Sequence, residues 1–358
     1  MNKKTWFLAL PMITSALFGC KGTTENNDIV NNGENPLVAQ LQALPDTCFL
    51  FGHHDDPMYG VEWSYEEGQS DVKNVCGKYP AMMTFDLGGL ELGKAENLDG
   101  VPFEKMRQEI IKQHQRGGFV SLSWHLRNPK TGGDSWDVSD STVVGTVVND
   151  SVMCQKMESW LDKVAVFLKS LKDDEGNDIN IIFRPWHEHT GSWFWWGQKL
   201  CSTEEYKALW KMTAERLEQQ GVKNVIYAYS PGTEPKTVEQ YMERFPEGDI
   251  IKVAGFDCYQ YDDHYAEHLD EALTLLDSVV QKYDLIPAVT ETGYEGVKDP
   301  KWWTGTLLPT LSKHKVAYVA VWRNAWNKEG HYYAPYPGHP SADDFKAFAD
   351  DPRTLFVE

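Results

Sequence analysis

Along the chain, short apolar and β-branched runs alternate with segments whose apolar residues recur every three or four positions. Eight such runs read as strands, at 47–53, 80–86, 119–125, 180–186, 224–230, 251–257, 286–291 and 316–322. The segments between them have helical period and helical punctuation. Ser202-Thr203-Glu204-Glu205 opens one helix with a capping serine and early acids, and Gly221 stops it after Gln220. A second, Tyr265 to Tyr283, sets Leu269, Ala272, Leu273, Leu276, Val279 and Val280 on one stripe, which should face a sheet. Eight strand and helix alternations predict an α/β fold of one kind, a (β/α)8 TIM barrel forming a single catalytic domain. Each run ends in polar or aromatic residues, and in such barrels the C-terminal strand ends and the loops after them build the active site.

Residues 1–19 carry a different pattern, with Lys3 and Lys4 ahead of a short apolar stretch from Trp6 that ends Leu17-Phe18-Gly19-Cys20. A basic start, a short apolar core and a small residue before cysteine predict a lipoprotein signal peptide cleaved ahead of a lipidated Cys20. Residues 20–36 are polar and rich in Asn, Gly and Thr, a flexible tether, and 37–358 form the catalytic domain. The expected location is the bacterial outer membrane, with the protein anchored by its lipid and facing either the periplasm or the surface, and the chain is expected to be a monomer.

Composition narrows the partners. With 53 acidic against 34 basic residues the net charge is −19, which disfavours nucleic acid and anionic surfaces and suits a neutral polymer. Setting Cys20 aside leaves five cysteines, an odd number. Cys48 with Cys76, or Cys154 with Cys201, could bridge, and Cys258 reads as a buried thiol.

The densest chemistry lies at 183–197, Phe-Arg-Pro-Trp-His-Glu-His-Thr-Gly-Ser-Trp-Phe-Trp-Trp-Gly, where Glu188 sits between two histidines and ahead of Trp193, Trp195 and Trp196. A carboxyl in an aromatic setting keeps its proton to higher pH, and indole faces stack on sugar rings. A second acid, Glu291, closes the seventh strand. Strands four and seven lie across an eight-strand barrel, so the two glutamates can face each other at its mouth. The His187-Glu188-His189 run does not have metal-binding spacing, and no metal or other cofactor is expected. Trp195 and Trp196 read as packing.

This stretch resembles glycoside hydrolase family 26, chiefly its β-mannanases, here in bacterial lipoprotein form. Further matching stretches are Ser123-Trp124-His125, Phe256-Asp257-Cys258-Tyr259, Thr290-Glu291-Thr292-Gly293, Val321-Trp322-Arg323-Asn324 and Pro335-Tyr336-Pro337-Gly338-His339-Pro340. The resemblance implies a retaining hydrolase of β-1,4-mannosidic linkages in mannan, galactomannan, glucomannan or manno-oligosaccharides, with Glu188 as acid/base and Glu291 as nucleophile. It implies Tyr259 as the residue that orients Glu291, with Asp257 and Arg323 nearby. An Asp257–Arg323 salt bridge would suit the same positions, and Arg323 could pair an acid while binding a distal sugar. His187 and His125 are implied hydroxyl binders and Trp193 the platform for the leaving sugar. Trp322 would lie beneath the reacting ring, with Trp136 stacking from the loop after strand three. The alternatives are mannobiose-releasing exo action, another β-glycan such as mixed-linkage β-glucan or β-1,3-xylan, and a non-catalytic glycan-binding lipoprotein.

Overall fold

A computed structural model describes residues 35–358. The leader at 1–19, Cys20 and nearly all of the tether expected to run to 36 lie outside the described residues. Pro36 already opens a helix, Pro36–Gln42, whose first turn is capped by the Asn35 side chain accepting from Leu37 N at 3.0 Å.

Eight parallel strands form the barrel: β1 (Phe49–His54), β2 (Met82–Asp86), β3 (Phe119–Ser123), β4 (Ile181–Arg184), β5 (Val225–Tyr229), β6 (Ile251–Tyr259), β7 (Ile286–Gly293) and β8 (Tyr318–Val321). Each pairs with the next, and β8 returns to β1 from Leu50↔Tyr318 to His53↔Val321, which closes the sheet. The helix after Ser202 spans Thr203–Gln219, and both halves of its capping box form, Glu205 N to Ser202 Oγ at 3.1 Å and Ser202 N to Glu205 Oε2 at 2.9 Å. Tyr265–Tyr283 buries Leu269, Ala272, Leu273, Leu276 and Val279 as its stripe requires. Each fully buried Leu or Val in that stripe contributes about 1.5–3 kcal/mol of transfer free energy.

Four strands end two residues away from the pattern-based expectation. β3 stops before His125 because the His125 N–H turns to the Asp86 carboxylate, at 3.1 Å to Oδ2. β4 stops before Trp186, which takes a left-handed backbone (φ 57°). β6 and β7 run on to Tyr259 and Gly293. Between Val289 and Glu291 the register of β7 slips against β6, so Thr290 and Glu291 together stand opposite the space of one residue. Such a bulge re-aims a side chain and strengthens the local twist. Here the side chain is Glu291.

The candidate strand at 80–86 divides in two. Tyr79–Pro80 pairs antiparallel with a C-terminal strand, Thr354–Val357, which lies parallel to the start of β1. Neither that strand nor the hairpin of Tyr59–Gly60 with Trp63–Ser64 was expected, being too short for a period to register. Trp195 and Trp196 are fully buried, and Phe194 stacks on Trp196 at 4.6 Å.

The suggested disulfides are corrected: neither pair is bridged among the described residues. Cys48 Sγ donates to the Pro352 carbonyl at 3.5 Å and Cys76 Sγ to that of Lys78 at 3.4 Å. Cys154 Sγ faces Glu158 Oε1 at 3.7 Å, and Cys201 Sγ accepts from Arg244 Nη2 at 3.0 Å. Cys258 is buried within β6, which pushes its thiol up to about 12. Among the described residues no helix is long and apolar enough to cross a membrane.

Candidate active site

At the C-terminal mouth, the last residue of β4 organises the floor. Arg184, only 4% exposed, donates through Nη1 to Asp257 Oδ2 at 2.7 Å and to Ser230 Oγ at 3.0 Å, and through Nη2 to Glu291 Oε1. One guanidinium thus ties the ends of β4, β5, β6 and β7. Burial, with the charge of Glu291, outweighs the pull of Arg184 and raises the Asp257 carboxyl to about 7. At 2.7 Å from a buried guanidinium whose own pKa is raised by these partners, the ionised carboxylate is the form the geometry favours. Asp257 also accepts from Thr290 Oγ1 at 2.6 Å, which fixes the bulge.

Glu291 is held at both oxygens, by Arg184 at Oε1 and by Tyr259 Oη donating to Oε2 at 2.7 Å. Tyr259 ends β6 and Glu291 lies in β7, so the bond crosses adjacent strands.

Glu188 reaches the same space from the loop after β4. Its backbone is left-handed (φ 52°), as is that of Trp186, and its N–H is anchored on the Ser230 carbonyl at 2.8 Å. Non-glycine residues in this conformation cost about 1–3 kcal/mol and cluster where position matters more than comfort. Burial pushes the Glu188 carboxyl well above the usual carboxylate range, and the negative charges of Asp257 and Glu291 push it further. Trp193 Nε1 donates to Glu188 Oε2 at 2.7 Å. The indole crosses directly over Gly191, where a Cβ would fall 1.8 Å from Trp193 Cζ3. Glycine is therefore needed for this approach. One oxygen each of Glu188, Asp257 and Glu291 lies within 4.8 Å of the others.

The remaining sequence-nominated residues line the same mouth. His125 Nδ1 pairs with Asp86 Oδ2 at 2.7 Å, and His125 Nε2 meets His187 Nε2 at 3.0 Å. Burial lowers the pKa of His125 but Asp86 more than restores it, giving a net rise. Burial and the charges of Arg184 and His125 hold His187 well below the ordinary histidine value. These opposite directions favour His125 as the donor and His187 as the acceptor across the shared contact. Trp136, 48% exposed, stacks on His125 at 5.4 Å and 13°. Trp322 stacks on His54 at 4.1 Å. Trp193, 41% exposed, has an open face beside Glu188.

The suggested Asp257–Arg323 bridge is corrected. Arg323 pairs with Asp99 at 2.8 Å and donates to Tyr59 Oη at 3.4 Å, while the base for Asp257 is Arg184. Sequence reasoning also passed over Arg184, Asp86, His54, Asp55, Tyr59 and Asp99. An arginine inside an apolar strand and the run His53-His54-Asp55-Asp56 at a strand's end were the available signals. His54, Asp55 and Asp99 bring ligating atoms within 4.8 Å of one another, as do Glu188, Asp257 and Glu291. Each set already has an arginine against it, Arg323 and Arg184 respectively. The donors are those of a hydrogen-bonded ion network.

A closed parallel barrel whose mouth holds a desolvated carboxyl beside a doubly tethered carboxylate, between indole faces, defines a glycoside hydrolase. The chain belongs to glycosyl hydrolase family 26, whose profile matches residues 30–331. It is 30% identical to a mannan endo-1,4-β-mannosidase of Bifidobacterium adolescentis over 97% of this chain and 37% of that protein. A second mannan endo-1,4-β-mannosidase, from Bacillus subtilis, is 28% identical over 63% of this chain and 62% of its own length. The chain thus spans less than two thirds of either relative. Among solved structures, a family 26 β-mannanase from Bacteroides ovatus superposes with a TM-score of 0.87 at 56% identity, covering 89% of this chain and 92% of that one. A Cellulomonas fimi endo-β-1,4-mannanase superposes with a TM-score of 0.80 at 30% identity, covering 89% and 74%.

Proposed function

We propose that this protein hydrolyses internal β-1,4-mannosidic bonds of mannan with retention of anomeric configuration. The observation that carries the reading is the Glu188–Glu291 pair, with carboxylate oxygens within 4.8 Å in unlike surroundings. That closeness fits double displacement, which needs about 5–5.5 Å between carboxyl groups, better than inversion, which spaces them about 6.5–9.5 Å apart to admit a water. Mannan as the polymer is supported by what the relatives are named for. Glu188, protonated through burial, gives its proton to the departing glycosidic oxygen as Glu291 attacks the anomeric carbon and the C–O bond breaks. The glycosyl-enzyme ester then meets a water whose proton passes to Glu188, and the new C–O bond releases Glu291. Arg184 and Tyr259 keep Glu291 aimed throughout. His125 and His187 bind hydroxyls of the reacting sugar, Trp322 lies beneath it, Trp193 carries the leaving sugar, and Arg323 and Trp136 extend the cleft. Asp257 acts through Arg184.

Reducing-sugar release from mannan, with the product anomer read by NMR in the first minutes, tests this. Loss of release in Glu188→Ala and Glu291→Ala with a β-product is expected, and an α-product or activity in either variant would overturn it. We further propose a lipid-anchored monomer at the outer membrane, on the strength of the signal pattern ending at Cys20. Labelled fatty acid should enter the wild type and not Cys20→Ala, and label in neither would sink the anchor. Light scattering of the detergent-solubilised protein checks the monomer.

A further inference from the structure

Beside the nucleophile is a recess of about 220 Å³ that the two-glutamate chemistry leaves unused, walled by Tyr259, Tyr261, Gly293, Tyr294, Lys298 and Tyr333. At about 30 Å³ per water it has room for roughly seven waters, enough for one sugar ring and too little for a run of them. Gly293 makes the inner wall. It ends β7 with φ 147°, and a Cβ there would fall 2.3 Å from Tyr333 Cδ1, so only glycine lets that ring pack on the strand end. Tyr333 meets Tyr259 edge-on at 5.8 Å, and Tyr259 is the residue that holds Glu291. The recess and the nucleophile therefore share a wall.

The outer wall is built unlike a core. Tyr261 is 90% exposed, its ring 6.3 Å from that of Tyr259, and packing does not account for it. Lys298 Nζ stands 5.7 Å over the Tyr294 ring. Aromatic faces with a phenol and an ammonium at the rim match a sugar's apolar face and its hydroxyls. Position decides which sugar. On the roles proposed above, a bound glycan would run between Trp322, just past β8, and Trp193, after β4, on opposite sides of the barrel, whereas the recess lies over β6 and β7, to one side of that line. A backbone sugar cannot enter it without leaving the line, but a substituent can.

We propose that this recess receives a single-sugar branch carried by a backbone sugar next to the scissile bond. The proposal rests on the mannan-cleaving reading above and deepens it. The test compares kcat/KM for an unbranched manno-oligosaccharide and the same oligosaccharide bearing one α-galactosyl branch, in wild type, Tyr261→Ala and Lys298→Ala. The wild type should cleave the branched substrate at least as well as the unbranched one. Each substitution should lower kcat/KM for the branched substrate about five- to tenfold, the loss of one stack or hydrogen bond. For the unbranched substrate it should stay within about twofold, as for a surface change that touches nothing in use. Refusal of the branched substrate by wild type, equal losses on both, or no loss on the branched one overturns the branch site while mannan cleavage stands. No cleavage of the unbranched substrate by wild type overturns the underlying function and this proposal with it.

Discussion

Tyr259 gives its phenolic hydrogen to Glu291 Oε2 at 2.7 Å while Arg184 takes Oε1, so the proposed nucleophile is fixed at both oxygens, by the adjacent strand β6 and by β4 from across the barrel. The arrangement depends on the slip at Thr290: without it Glu291 would face one step out of phase with Tyr259, because side chains alternate along a strand. Backbone irregularity, phenol and guanidinium are one device for aiming a carboxylate.

Tyr259→Phe should leave Arg184 holding one oxygen and free the other. A hydrogen bond to a charged group contributes about 1.5–3 kcal/mol, so kcat should fall by roughly ten- to a hundredfold. KM should move less, since the ground-state sugar contacts remain. Steady-state kinetics on manno-oligosaccharides check this, and an unchanged kcat would remove Tyr259 from the reaction.

Arg184→Met should destabilise the fold beyond its effect on activity. Removing one partner of a buried ion group strands the other charges and typically costs about 3–5 kcal/mol. Asp257 and Glu291 would both be stranded, at side-chain exposures of 1% and 9%. Adding Asp257→Asn to Arg184→Met should recover part of the loss, because one stranded charge is gone. Thermal denaturation of the singles and the double gives the coupling, and strict additivity would mean the pair is not interacting.

The barrel was legible because each inner strand is apolar on both faces and ends abruptly in polar residues, a contrast visible at Phe183-Arg184 or Phe256-Asp257 without coordinates. The two glutamates were legible because burying acids costs too much to be incidental. Arg184 was not, since its partners come from strands more than forty residues away and no local pattern encodes a three-way ion contact. The acid that Arg323 pairs with was hidden for the same reason: it is Asp99 rather than the Asp257 that was one reading, and Asp99 arrives on a loop after β2 whose path has no period. Cysteine parity said that one thiol must remain but nothing about distance, and Cys154 and Cys201 each turned to side chains nearby.

Glu188 should set the alkaline limb of activity. In the proposed mechanism its proton is required for the first step, so kcat/KM should be full below its raised pKa and fall as pH climbs through it. The same shift acts on stability. The unfolded value is about 4.3, so the stability linked to this proton is complete below that pH and is lost as pH rises through the higher folded-state pKa. Glu188→Gln, which stays neutral, should therefore have the higher Tm at alkaline pH, with the gap closing below about pH 4. A gap of constant size across the range would show that Glu188 is not the titrating group.

Gly191→Ala tests the link between Trp193 and Glu188 without substituting either. A methyl at that position overlaps the Trp193 ring, 1.8 Å from Cζ3, so the indole must swing away and its bond to Glu188 Oε2 must break. That bond favours the ionised form of Glu188, and its loss should move the alkaline limb to higher pH. Loss of the stacking face should also raise KM for substrates that reach the leaving-group side. Trp193→Phe keeps a ring but not the N–H, so it should shift the pH limb with a smaller rise in KM. The two variants thus separate hydrogen bond from platform, and a Gly191→Ala enzyme with the wild-type pH profile would show that the indole does not tune the acid.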